Sequence, residues 1–223
     1  MVKVPQGVFR ASGWMLIAAG LTNFIVSIVH LEDTPANLAQ LPYFLNVAVG
    51  THVAMLLATP LILMGLAGLY LRQAERLRWW GWIGCFLMFF LFIFEMIHAV
   101  LQVYQYPVLF DGITTEAQLK AASDTALKTM NHDGFPTTLS LVAMPGVLLG
   151  FALITIAMYR SRVFSKWLAL TFLLMPSTYF LPWESYGKYV FPVAYLTYAV
   201  YGVLLVTERK IVAAPVTEQA ATA

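Results

Sequence analysis

Four histidines, and one carboxylate set well inside an apolar run, are the residues of this 223-residue chain best equipped for chemistry. Glu95, His98 and Gln102 stand three and four residues apart, a spacing that puts them on one face of a helix. Asn23, Ser27 and His30 form a second such stripe, and His52 lies in an apolar run of its own. Neutral imidazoles with a carboxylate are a ligand set for zinc, copper or non-haem iron. Two histidines at matched depth also suit the axial positions of a haem. The expected metal ligands are His30, His52 and His98, with Glu95 as a further ligand or as a base. Glu95-Met-Ile-His98 has the Glu-x-x-His spacing of di-iron bundles, but it occurs once where the paired site needs two copies.

The same residues allow chemistry without a metal. Glu95 and His98 would then act as catalytic acid and base on an apolar, isoprenoid-like substrate, in the manner of an isomerase or cyclase. Asn23, Gln102, Tyr195 and Tyr198 are the expected lining of the substrate pocket, with Trp183 and Glu184 beside it. Trp183 and Tyr186 also fit the interfacial aromatic belt of a membrane protein. A small transporter and an accessory membrane subunit remain open as alternatives. Pro60 and Pro145, each followed by glycine five residues on, are a faint form of the broken-helix pair found in carriers and of an internal repeat. No phosphate-binding glycine loop or nucleophile elbow occurs, so neither nucleotide use nor serine hydrolysis has a basis in the sequence.

Such groups need a scaffold, and composition names it. With 60% hydrophobic and 11% charged residues, against about 25% charged in soluble domains, the chain is an all-α polytopic membrane protein. That excludes a nucleic-acid-binding or disordered protein. The lone Cys85 excludes an internal disulfide and a multi-thiolate metal site. Apolar stretches at about 11–30, 44–71, 79–104, 137–159, 165–182 and 189–207 predict six membrane helices in a single domain over 1–207. The first has no small-residue cleavage site after it and is expected to stay as a helix. Residues 208–223 read as a flexible tail.

Ten of the 13 basic residues fall on one side of this topology, on Lys3, Arg10, Arg72, Arg76, Arg78, Arg160, Arg162, Lys166, Arg209 and Lys210. Positive residues stay inside, so both termini are expected in the cytoplasm and the long loops outside a plasma (inner) membrane. The outer loop, 105–136, carries Leu119, Ala122, Ala126, Leu127 and Met130 at helical spacing after Thr115-Glu116-Ala117-Gln118, which predicts an amphipathic helix. His30, His52 and His98 then gather near the outer ends of the first three spans, with His132 on the loop above. They would form an outward-opening pocket for a divalent metal or haem and a small or lipophilic substrate. The expected partners are the bilayer and such a molecule.

Overall fold

The computed structural model describes residues 4–130 and 135–208, without the side chains of 130, 135–143, 183 and 184. Every regular element among the described residues is helical: α1 (Gln6–Val29), α2 (Leu41–Leu71), α3 (Trp79–Leu109), α4 (Glu116–Met130), α5 (Phe135–Ser161), α6 (Lys166–Leu170), α7 (Leu174–Ser177) and α8 (Lys188–Thr207). Five of them, α1, α2, α3, α5 and α8, are long and apolar enough to cross a membrane. This is a helical bundle of multi-pass membrane type.

A sixth continuous span over 165–182 is not found. The stretch breaks into α6, a 3-10 turn at Thr171–Leu173, and α7, followed by a π-helical turn at Trp183–Gly187. The local chemistry explains the break. Pro176 has no amide hydrogen to offer the Phe172 carbonyl one turn back. The hydroxyls of Thr171, Ser177 and Thr178 each donate at 2.7 Å to the carbonyl three residues earlier, competing with the regular helical ladder.

The helices close into a ring. α1 packs between α8 and α2, α2 meets α3, α3 meets α5, α5 meets α6, and α7 returns to α8. Small residues permit the tightest of these contacts, as in other membrane helix pairs. A methyl group on Gly13 of α1 would lie 2.6 Å from the carbonyl oxygen of Gly202 in α8, and one on Gly20 would lie 2.8 Å from the amide of Ala199. Gly65 and Gly150, the glycines of the two proline-glycine segments, are close-contact points too, against Leu16 and Leu87 respectively. The apolar centre runs through Leu16, Ile62, Met88, Phe92, Phe151 and Tyr198.

Polar ties fasten one end of the ring. Arg72, which ends α2, forms a forked ion pair with Glu208 after α8, and Gln6 at the start of α1 donates to the Glu208 carbonyl. The Ser161 hydroxyl at the end of α5 donates to the side-chain oxygen of Gln73 at 2.9 Å, and Arg76 donates to the Ser161 carbonyl. The start of α1 and the ends of α2, α5 and α8 therefore lie together.

α4 covers the other end. Thr115 and Gln118 form a reciprocal capping box, the Gln118 amide donating to the Thr115 hydroxyl and the Thr115 amide to the Gln118 side-chain oxygen. The apolar side of α4 (Leu119, Ala122, Ala126) packs against Phe44, Tyr106 and Phe110, so the expected amphipathic helix lies on the bundle. α3 reaches this contact because it continues through Pro107 to Leu109, beyond the expected end at 104.

Candidate functional site

Three helices deliver the imidazoles. His30 follows the last turn of α1, His52 lies three turns into α2, and His98 lies three turns before the end of α3. The His30 and His52 rings meet edge to face with centroids 5.1 Å apart, and the His52 and His98 rings are 5.7 Å apart. His52 is the buried centre of the row at 1% exposure, while His30 and His98 each keep an open side.

Hydrogen bonds fix the protons. A backbone carbonyl can only accept, so His52 Nδ1, 2.7 Å from the Ala48 oxygen, carries the hydrogen. Its Nε2 is then a bare lone pair, 3.4 Å from Nε2 of His30. This is the tautomer used by metal-ligating histidines, with the outer nitrogen held by the backbone and the inner one free. Gln102 Nε2 sits 3.2 Å from His98 Nε2 and 3.5 Å from Asp33 Oδ1, and its two amide hydrogens serve both.

Asp33 is the residue that sequence spacing did not single out. It lies on the turn after α1, where the Tyr106 hydroxyl donates to its backbone carbonyl at 2.9 Å. Its carboxylate is in electrostatic reach of His30, His52 and His98. The only signal for it was position, three residues beyond His30. His30 lies outside the apolar helix, and the loss of water around its partly buried ring lowers its pKa from the usual histidine value, with Asp33 opposing part of the shift.

The expected stripes divide. Glu95 addresses Tyr179, Tyr195 and Tyr198, while His98 addresses the other imidazoles. Tyr198 packs edge to face on Phe92 and Phe172 in the bundle centre. The hydroxyls of Tyr70, Tyr198 and Tyr201 are buried there without a hydrogen-bond partner among the described residues. Asn23 is buried at 3% exposure, and the Ser27 hydroxyl turns back to the Asn23 carbonyl at 2.7 Å, so the α1 stripe gives the cluster only His30. His132, the side chains of Trp183 and Glu184, and the 209–223 tail lie outside the described residues.

No group of three or more His, Cys, Asp and Glu side chains stands in metal-holding geometry among the described residues. The Nε2 atoms of His30 and His52 face each other at 3.4 Å, and the His98 ring lies 5.7 Å from that of His52. Compared with known proteins, the chain matches no family model, no curated relative and no solved structure.

Proposed function

We propose that this membrane protein binds a divalent transition-metal ion through His30 and His52, with His98 and Asp33 completing the set, and uses it on a small or lipophilic substrate. The observation that carries this reading is the facing pair of Nε2 atoms. Two nitrogens bound to one tetrahedral zinc at about 2.05 Å stand about 3.4 Å apart, which is the separation here. Without metal, a proton on His30 Nε2 would bridge to the lone pair of His52; a cation would replace that proton. A single ion suits the arrangement better than a haem, whose axial nitrogens must stand on opposite faces of a macrocycle.

The finer topology belongs to the same reading. Ser161 and Glu208 lie at one end of the ring, and α8 spans about 30 Å. Residues 162–187 therefore have to climb back across the bundle, which supports a sixth, discontinuous crossing. The basic residues near the tied end favour a cytoplasmic assignment for it, with both termini inside a plasma (inner) membrane and the histidine site facing out.

The test is elemental analysis and a visible spectrum of untagged protein purified in mild detergent without chelator. Near-stoichiometric metal that disappears in His30→Ala and His52→Ala, and persists in His132→Ala, is the expected result. A protein that carries no metal or haem and takes up neither zinc, copper nor iron would overturn the reading. In that case the partnerless hydroxyl of Tyr198, within electrostatic reach of Glu95, favours acid–base chemistry on an apolar ligand. Extraction and mass spectrometry of co-purified lipids would test it, with Glu95→Gln expected to abolish turnover.

A further inference from the structure

A polar cavity lies at the opposite end of the ring from the histidines. It has a volume of about 370 Å3 and is lined by Arg76, Arg78, Arg160 and Arg162, with Trp80 and Ser161 in its wall. The sequence places these arginines in two pairs, one in the turn between α2 and α3 and one at the end of α5. The buried hydrogen bond between Ser161 and Gln73 and the bond from Arg76 to the Ser161 carbonyl hold the two segments against each other. Arg162 takes a left-handed backbone (φ 55°), which turns the chain sharply after α5. The Arg160 guanidinium lies 6.0 Å from the centre of the Trp80 ring.

The four arginines that line the cavity are all exposed to solvent, so water screens their mutual repulsion and an anion arriving from solution meets positive charge from two segments. Among the described residues none of the four forms an ion pair; Glu208 is taken by Arg72, and Glu75, beside Arg76 in the same turn, is in electrostatic reach of Arg72. A retention signal for cytoplasmic arginines needs positive charge alone, not a walled cavity between two helix ends. Guanidinium forks match the paired oxygens of a phosphate. The amide end of α3, which begins at Trp79, adds favourable partial charge. Depth points to the source of the phosphate. Trp79 and Trp167, at 74% and 79% exposure, stand on the outside of the ring at this end, where tryptophans mark the headgroup layer of a bilayer.

We infer that the cavity lined by Arg76, Arg78, Arg160 and Arg162 binds the phosphate of an anionic lipid headgroup. Basic pockets between membrane helices on the cytoplasmic side take such headgroups, each basic residue contributing about fivefold in affinity.

The full-length protein in neutral detergent would be titrated with phosphatidylglycerol and, separately, with phosphatidylcholine and inorganic phosphate, with bound lipid counted by native mass spectrometry. Saturable retention of one phosphatidylglycerol is expected, unaffected by phosphatidylcholine or excess inorganic phosphate. Arg78→Gln with Arg160→Gln should weaken it about 25-fold, and Arg10→Gln, outside the cavity, should leave it unchanged. Should the double variant fail to fold, Arg160→Gln alone should cost about fivefold. Equal retention by the cavity variants and Arg10→Gln would overturn the inference. Full displacement by inorganic phosphate would overturn the lipid assignment in favour of a soluble anion.

Discussion

The hydroxyl of Tyr106 donates to the backbone carbonyl of Asp33 at 2.9 Å, so a side chain on α3 pins the turn that carries the carboxylate of the histidine site. Tyr106 touches no imidazole, and its effect passes through the position of Asp33. Tyr106→Phe should remove about 1 kcal/mol of stability and weaken metal binding by about tenfold, as loss of an outer-shell partner does. Metal titration beside thermal unfolding checks both. Unchanged affinity with lowered stability would reduce Tyr106 to a structural bond.

Asp33 and Glu95 should separate cleanly. Asp33→Asn should lower metal affinity by about tenfold or more, because the Asp33 charge is within electrostatic reach of all three imidazoles. Glu95→Gln should leave metal content as it is, since Glu95 addresses the tyrosines of α8. The reverse ranking in elemental analysis would return Glu95 to the ligand set.

Gly202→Ala should be among the costliest small substitutions in the chain. Its added methyl group would stand 2.5 Å from the Gly13 carbonyl oxygen and 2.8 Å from the Ile17 amide nitrogen, both backbone atoms that cannot rotate aside. Overpacking of this kind costs about 1–3 kcal/mol. Gly7→Ala, with nothing within 4 Å of the new methyl group, should be close to neutral. Melting curves of both variants in one detergent decide.

Acid should destabilise the metal-free protein through His30. The imidazole keeps one edge open, yet desolvation of its buried part lowers its folded pKa, so as pH falls the unfolded chain takes up the proton first. Stability should therefore hold above pH about 6.5, the ordinary histidine value, and fall below it, down to the lowered folded value. A His30→Gln variant should show a shallower decline between pH 7 and 5; an identical decline would remove His30 from the account.

Hydropathy made five of the helices legible, because burial in lipid demands long apolar runs whatever their neighbours. It did not show that 165–182 is broken up, where composition is apolar but Pro176 and three hydroxyl side chains interrupt the backbone ladder. Helical spacing together with topology was enough to bring His30, His52 and His98 near one another. It could not tell that Glu95 and His98, three residues apart, point to different neighbours, because a shared helix face is wide enough to serve two adjoining helices. Asp33 escaped for another reason. It sits on a turn, where no periodicity indicates direction, and only the folded chain shows its carboxylate beside Gln102 on a turn pinned by Tyr106.

The contact between α1 and α8 joins the first and last of the described helices, and this sets the order of biogenesis. During synthesis α1 enters the membrane long before α8 exists, so Gly13 and Gly20 must wait against lipid or an insertion partner while about 160 residues are added, at roughly 5–20 residues per second. A chain halted before Lys188 would keep that glycine face exposed and be open to quality-control proteolysis. The ring is thus locked from its last-made helix, and the lifetime of nascent α1 depends on how soon α8 arrives.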